Sequence, residues 1–307
     1  MIKRTIVIES AAALRLERRQ LVIERAELPA SERKRTVPIE DLGILVLESA
    51  HTTVTNGLYS ALVEAGVAVI HCNDRHMPIG LTMPLAGHTL QQARFQAQLS
   101  ASLPLRKQLW MQLIQSKIRN QASTLALVGA PYQPLLHWSK EVRSGDPDNL
   151  EARAAAYYWP LLMGDTAFRR QREGTDVNMA LNYGYAILRA TVARALVISG
   201  LLPTMGVHHR NQYNAYCLAD DVMEPYRPLV DAYVVELMQS MPLLDELSRE
   251  WRTALLKIPA LDVRIRGERS PLLVAVGRTT ASMAQVFEGV EKKLLLPKPI
   301  RDVISTL

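Results

Sequence analysis

The sequence predicts an α+β protein with a small β-rich domain at the N-terminus and a larger helical domain after it. In roughly the first 80 residues, short β-branched runs alternate apolar and polar positions, as half-buried strands do. From about His88 onward, apolar residues recur every three to four positions, as on one face of a helix. The 307 residues suffice for two such domains, which we predict to span residues 1–85 and 86–307.

The N-terminal domain is predicted from five short β-rich runs and one helix. The strands are predicted at 5–8, 14–17, 21–24, 43–48 and 66–71. A helix over 58–65 follows the turn residues Asn56 and Gly57, and Pro78 to Gly80 would close the domain.

The rest of the chain is predicted to be all-α. Helices are expected over 91–120 with a break at Pro104, and over 150–163, 178–199, 212–223, 226–241, 243–256 and 271–295. The segment 146–149 supplies capping residues for the helix that begins at Leu150.

Composition limits the class of protein. The net charge of +6 and the pI near 9.4 suit a polyanionic partner, although many basic enzymes never bind nucleic acid. With only Cys72 and Cys217 and no CxxC pair, a disulfide framework is excluded and a reducing compartment is expected. Because Glu9 interrupts the first apolar run, no signal peptide is predicted and the expected location is the cytoplasm. Phosphate-binding glycine loops and the G-x-S-x-G motif are absent from the sequence.

One stretch carries the residue types of a catalytic metal site. The pair His208-His209 is followed by Asp220, Asp221 and Glu224. Both aspartates fall on one helical face with Glu224, at i+4 and i+3, where like charges repel unless a cation lies between them. Carboxylates with one imidazole suit Mg²⁺ or Mn²⁺ better than structural zinc. The sequence leaves open whether Asp220 or Asp221 faces the ion.

An ordinary structural explanation competes with this one. Glu151 lies in the first turn of its predicted helix, where an acidic residue stabilises the helix dipole without any metal. The same explanation covers the carboxylates after the histidine pair. The spacing alone is therefore suggestive and no more.

The helix after residue 177 has a polar stripe. Asn178, Asn182, Tyr185 and Arg189 fall on one face, at i, i+4, i+7 and i+11. Most polar stripes are solvated faces. Two asparagines inside a helix are unfavourable, which favours a functional role in binding phosphates or orienting carboxylates.

At these residues the chain resembles the CRISPR-associated spacer integrases, the universal adaptation endonucleases of CRISPR systems, in the shorter form of type II systems. The resemblance covers essentially the full length. It is carried by Glu151, by Thr55 to Leu58, by Val69 to Asn73, and by the segments NMALNYGYAILR (178–189), GLLPTMGVHH (200–209) and LADDVMEPYRPLVD (218–231).

The resemblance implies a β-sandwich N-terminal domain for dimerisation and DNA contact, and an all-α catalytic domain. It implies catalytic metal ligands at Glu151, His209 and Glu224, with Asp221 as an additional acid, for Mg²⁺ or Mn²⁺. The Gly-x-x-His spacing from Gly206 selects His209, and Glu224 stands where the broader family has aspartate. The residues that would support the ligands or contact DNA are Asn178, Asn182, Tyr185, Arg189, His208 and Arg210.

The implied reaction is transesterification, in which a prespacer 3′-hydroxyl attacks a phosphodiester at the leader–repeat junction of a CRISPR array. The implied assembly is homodimers flanking a dimer of a small ferredoxin-like adaptation partner. Basic residues that would hold the DNA backbone are Arg33, Lys34, Arg35, Arg189, Arg210, Arg264 and Arg266. Two alternatives stay open: a catalytically silent DNA-binding scaffold subunit, and an unrelated all-α metal hydrolase of small phosphates.

Overall fold

The computed structural model describes residues 3–171, 174, 177–242 and 246–299. The chain divides into two compact units, Met1–Thr89 and Leu90–Leu307. In the described residues, no helix is long and apolar enough to cross a membrane.

Over its described residues, the N-terminal unit contains two four-stranded sheets and one α-helix. Its strands are β1 (Arg4–Ile8), β2 (Ala12–Glu17), β3 (Gln20–Glu24), β4 (Lys34–Pro38), β5 (Leu42–Leu47), β6 (Thr52–Val54), β7 (Ala68–Cys72) and β8 (Pro78–Thr82). The first sheet has the order β1-β5-β7-β8, and the second has the order β4-β3-β2-β6. Helix α1 (Asn56–Glu64) lies between β6 and β7 in the chain.

Strand β5 explains why the N-terminal sequence mixes continuous and alternating apolar runs. It pairs in parallel with β1 and β7, and all six of its residues are buried. A central strand covered on both faces needs an unbroken apolar run, whereas β2 has one exposed face and alternates. Residues of both sheets and of α1, among them Leu14, Leu45 and Leu58, share one core cluster.

The C-terminal unit is mainly helical. Its helices are α2 (Gln91–Leu99), α3 (Leu103–Leu127), α4 (Gln133–Glu141), α5 (Leu150–Met163), α6 (Val177–Ile198), α7 (Cys217–Met223), α8 (Arg227–Ser240), α9 (Arg249–Leu255) and α10 (Leu272–Phe287). A 3₁₀ turn, Glu224–Tyr226, joins α7 to α8.

Helices α3 and α6 form the centre of this unit. Helix α6 contacts α7, α8, α9 and α10, and most of its residues are buried, so its sequence is apolar on nearly every side. Helix α3 contacts α4, α5, α8 and the 3₁₀ turn. It begins where Ser102 Oγ accepts a hydrogen bond from the Leu105 amide, with Pro104 in the first turn.

The all-α expectation for this unit needs correction. Strands β9 (Asp262–Ile265), β10 (Glu268–Pro271) and β11 (Lys298–Pro299) form a three-stranded antiparallel sheet with β9 in the centre. The alternation of buried Val263 and Ile265 with exposed neighbours is a strand pattern too short to stand out in the sequence.

Several helix boundaries also differ from the predicted ones. Helix α7 begins at Cys217, because Asn211 and Asn214 accept hydrogen bonds from amides two residues later and hold the preceding segment in turns. Helix α10 ends at Phe287, and Gly289 follows with φ +77°. Helix α4 was not predicted. Residues 243–245, at the start of the predicted 243–256 helix, lie outside the described residues.

Candidate active site

Glu151 is presented by the first turn of α5. The start of this helix is capped by Asp146, whose two carboxylate oxygens accept hydrogen bonds from the amides of Leu150 and Glu151 at 2.9 and 3.0 Å. Because Asp146 meets the amides of this first turn, the Glu151 carboxylate is not needed as a cap. It extends instead to Lys117 Nζ, which lies 2.6 Å from Oε1.

His209 lies in the loop between α6 and α7, and Asp221 of α7 shapes that loop. Oδ2 of Asp221 accepts hydrogen bonds from the amides of Val207 and His208 at 2.7 and 3.0 Å. Oδ1 accepts from the His209 amide at 3.2 Å and from His209 Nδ1 at 2.6 Å. The hydrogen bond to Asp221 raises the pKa of His209. Because Nδ1 contacts Asp221, Nε2 is the ring nitrogen left for another partner.

Gly206 is required for this loop to close. A Cβ at this position would lie 2.9 Å from Asp221 Oδ2 and 3.0 Å from Cys217 Cβ, and closer still to the carbonyl oxygen of His209. Only glycine leaves the room that the turn needs. The Gly-x-x-His spacing seen in the sequence therefore has a steric cause.

The two neighbouring aspartates have different partners. Asp221 is fully buried and receives the four hydrogen bonds of the histidine loop. Asp220 accepts from Arg189 Nε and from Asn214 Nδ2, each at 2.7 Å. Four donors occupy the lone pairs of the Asp221 carboxylate, so its chemistry here is that of an orienting group.

Glu224 lies in the 3₁₀ turn after α7 and is 4% exposed. Its Oε1 accepts a hydrogen bond from Arg227 Nε at 2.8 Å, and its Oε2 lies 2.5 Å from Lys117 Nζ. Burial alone would raise the pKa of Glu224, but Arg227 and Lys117 outweigh burial and lower that pKa to about 2. Glu224 is therefore ionised at every physiological pH.

Lys117 of α3 is the residue that sequence reasoning missed. Its ammonium group bridges Glu151 and Glu224, and its side chain is only 10% exposed. Burial would lower the pKa of Lys117, but the two carboxylates outweigh it and raise that pKa. A signal was present in the sequence, because Lys117 continues the apolar i, i+4 stripe of Leu109 and Leu113 on a buried helix face.

Of the three groups predicted to be ligands, Glu151 and Glu224 meet at Lys117, and His209 is near enough to Glu224 for that carboxylate to help raise the pKa of the imidazole. In the described part of the chain, no three His, Cys, Asp or Glu side chains are grouped closely enough to hold a metal ion. The donor set nevertheless fits a hard divalent cation. Glu224 Oε2 is a buried carboxylate oxygen held by the Lys117 ammonium group, Glu151 reaches the same ammonium group, and His209 is oriented by a carboxylate.

His208 is held by ring stacking, whereas His209 is hydrogen-bonded to Asp221. Its ring stacks on Trp110 of α3, with 3.9 Å between ring centroids and 4° between the planes. Trp110 also meets the His209 ring edge-on at 5.7 Å. Partial burial lowers the pKa of His208, so this ring is mainly neutral near pH 7. The buried Trp110 therefore packs against the rings of both histidines.

The polar stripe of α6 is engaged by ionic partners. Arg170 donates to Oδ1 of both Asn178 and Asn182, at 3.0 and 2.7 Å. Arg189 at the far end of the stripe pairs with Asp220. The stripe is therefore largely covered, and Arg189, 45% exposed, is its most accessible side chain.

Tyr185, in the middle of the stripe, donates a 2.5 Å hydrogen bond to Asp231, and Tyr158 donates to the other oxygen at 3.0 Å. Burial raises the pKa of Asp231 to about 7. Asp231 and Tyr185 line a cavity of about 250 Å³ that also reaches Lys117 and Glu224.

The basic residues predicted to hold DNA are exposed but belong to different units. Lys34 pairs with Glu17 in the N-terminal unit, flanked by Arg33 and Arg35. Arg264 and Arg266 lie on and just after β9, and Arg210 directly follows the histidine pair. Of these, Arg210 is fixed beside the candidate site by its position in the chain.

Known proteins match this chain over most of its length. The family described as CRISPR associated protein Cas1 matches residues 5–247. A CRISPR-associated endonuclease Cas1 from Neisseria meningitidis serogroup C (strain 8013) is 37% identical over 298 residues, covering 96% of each chain.

Solved structures share the fold at lower sequence identity. A casposase bound to integration product superposes with a TM-score of 0.77 at 18% identity, over 96% of this chain and 92% of that one. A chain of a Cas6-RT-Cas1–Cas2 complex superposes with a TM-score of 0.72 at 17% identity, over 95% of this chain and 35% of that one. From the family match and the extent of the Neisseria alignment, the chain belongs to the Cas1 family of CRISPR-associated proteins.

Proposed function

We propose that this protein is a CRISPR adaptation integrase, a metal-dependent endonuclease and transesterase that joins prespacer 3′-hydroxyl ends into the leader–repeat of a CRISPR array. The observation that carries the proposal is the meeting of Glu151 and Glu224 at Lys117, with an Asp221-oriented His209 within electrostatic reach of Glu224. The Neisseria relative is named an endonuclease, and the casposase is described as bound to an integration product.

The proposed ligands are Glu151, Glu224 and His209, with Mg²⁺ or Mn²⁺ as the ion. A bound divalent ion would supply activation of the attacking hydroxyl and stabilisation of charge on the phosphate. The protein's own contribution is orientation: Asp146 fixes the helix turn that presents Glu151, and Asp221 fixes the imidazole tautomer. Water in place of the 3′-hydroxyl would give DNA hydrolysis at the same site.

We propose that Asp221 orients His209 and does not ligate the ion, since its oxygens already accept four hydrogen bonds. Asp220, held by Arg189 and Asn214, is proposed to anchor Arg189 beside the site. Arg210 and His208 are proposed to contact the DNA backbone, because both are exposed next to His209.

The proposed assembly is a homodimer that joins a dimer of a Cas2-like partner and binds DNA. Its support is the superposition on a chain from a complex that contains Cas1 and Cas2. We further propose that the N-terminal unit is a β-sandwich used for dimerisation and DNA contact, because side chains of both its sheets share one core.

The test is strand joining on supercoiled repeat-bearing DNA with Mn²⁺, with and without the Cas2-like partner. Glu151→Ala and His209→Ala are each expected to abolish joining. The matched controls are Glu141→Ala and His137→Ala, which remove members of an exposed ion pair on α4 and should leave joining unchanged. Full joining by purified His209→Ala protein would contradict the proposed site.

Glu224→Ala is a less clean test. It would leave Lys117 and Arg227 without their shared carboxylate in a buried place, at a cost of about 3–5 kcal/mol in the free energy of unfolding. Glu224→Gln preserves the shape and is the better variant.

The second candidate is a catalytically silent DNA-binding scaffold. It would be favoured by intact DNA binding without joined product in Mn²⁺ on a branched half-site substrate. A small-phosphate hydrolase would instead show activity that short duplex DNA fails to inhibit.

A further inference from the structure

We propose that Lys117 is a built-in cation that holds Glu151 and Glu224 in place without metal, and that a divalent ion displaces its ammonium group on binding. The inference rests on the proposed metal-dependent function. The observation behind the role of Lys117 is its position: Nζ lies 2.6 Å from Oε1 of Glu151 and 2.5 Å from Oε2 of Glu224. These carboxylates are the ones assigned to the ion.

Side chains of α3 donate hydrogen bonds to the segment that carries Glu224. Asn120 Nδ2 donates to the carbonyl oxygens of Pro225 and Pro297, at 2.8 and 3.2 Å. One turn later, the Thr124 hydroxyl is shared between the carbonyl oxygens of Asn120 and Pro228, at 3.0 and 3.2 Å. Lys117 lies one turn before Asn120 on the same helix. Its place between the glutamates is therefore fixed by the packing of α3 and not by a chance approach of a surface lysine.

The local charges explain why the ammonium group and a divalent ion would compete. Arg227 holds Oε1 of Glu224, and its guanidinium lies over the Tyr185 ring, 4.6 Å from the centroid. With Lys117 on the other oxygen, two carboxylates are balanced by two cations. A divalent ion added to this neutral group would lie beside two positive charges in a buried place, where repulsion is weakly screened. Lysine has the flexible stem that allows its head group to withdraw, whereas the stacked arginine stays.

Two consequences follow for the metal-free protein. Without Lys117, the two carboxylates would repel each other, and among the described residues the buried Glu224 would keep Arg227 as its ion-pair partner. With Lys117, they stay together at the cost of weaker metal binding. A purely structural ion pair would stabilise the fold in the same way but would leave metal affinity unchanged, which separates the two roles.

The test measures Mn²⁺ binding to the full-length protein by the electron paramagnetic resonance signal of free Mn²⁺, without DNA. Lys117→Met is expected to lower the Kd for Mn²⁺ about tenfold, a change of about 1.4 kcal/mol. In EDTA the same variant should unfold at a lower temperature than the wild type. Added Mn²⁺ should raise the unfolding temperature of the variant by more than it raises that of the wild type. Lys117→Arg keeps the charge and should not tighten Mn²⁺ binding.

The matched control is Arg94→Met. Arg94 pairs with Glu288 at 2.8 Å, with side-chain exposures of 16% and 27%, close to the 10% and 29% of Lys117 and Glu151. This control should lose stability without any change in the Kd for Mn²⁺. Lys117→Gln is the second variant if the methionine variant fails to fold, because its amide still donates to a carboxylate while the charge is lost, and it too should tighten binding.

Unchanged or weaker Mn²⁺ binding by the charge-removing variants would overturn the inference. If Lys117→Met and Lys117→Gln bind Mn²⁺ no more tightly than the wild type while His209→Ala loses binding, the role of Lys117 is overturned and the proposed metal site stands. Failure of the wild type to bind Mn²⁺ or join DNA would overturn the proposed function, and the inference with it.

Discussion

Replacing Asp221 with asparagine should separate the two neighbouring aspartates by their roles. Asp221 is fully buried, and each of its oxygens accepts two hydrogen bonds from the histidine loop. In Asp221→Asn, an NH₂ group replaces one of the two carboxylate oxygens. The two donors that met that oxygen then face another donor and lose their hydrogen bonds. A buried unsatisfied donor costs about 1–3 kcal/mol, and hydrogen bonds to a charged acceptor contribute about 1.5–3 kcal/mol each. The free energy of unfolding should therefore fall by about 3–5 kcal/mol.

The assay is urea denaturation together with Mn²⁺ binding. Loss of a carboxylate that orients a metal-binding histidine typically weakens metal affinity about 10–100-fold, and we expect that range for Asp221→Asn. Asp220→Asn is the matched control, because Asp220 holds Arg189 and Asn214 and not His209. It should leave the Kd for Mn²⁺ within about twofold. Equal effects of the two variants on Mn²⁺ affinity would refute the assigned roles.

Three further outcomes follow from the same site. Gly206→Ala should abolish joining and destabilise the loop, since the added Cβ would collide with the carbonyl oxygen of His209. Joining by this variant at the wild-type level would show that the loop can adjust to the Cβ. Trp110→Ala should lower the free energy of unfolding by about 3–5 kcal/mol, measured by urea denaturation. Trp110→Phe keeps a ring against His208 and should lower it by less than about 2 kcal/mol. Asp231, with a pKa raised from 3.8 to about 7 by burial, resists ionisation in the folded state, so its contribution to stability is greatest below about pH 4 and is lost as pH rises toward 7. Relative to Asp231→Asn, the wild type should lose up to about 4 kcal/mol of unfolding free energy between pH 4 and 8, and parallel pH profiles would contradict this.

The sequence predicted the type of most elements because their signals are local. The helix from Leu150 to Met163 has the predicted bounds, and α6 is within one residue of its predicted range at each end. Missed elements are short or lack a clear period, such as α4 and the β9–β11 sheet. The mixed α+β class was predictable, whereas the small sheet depends on pairing between distant segments.

The sequence by itself determined which residue types could form the site and, through the family motifs, pointed to Glu151, His209 and Glu224. Only the tertiary structure decided which side chains face each other. Spacing placed Asp220 and Asp221 equally well, and long-range hydrogen bonds to the histidine loop separated them. The tertiary structure also places Lys117 between two glutamates that lie 34 and 107 residues later in the chain. Helix packing, unlike periodicity, joins segments that are distant in sequence.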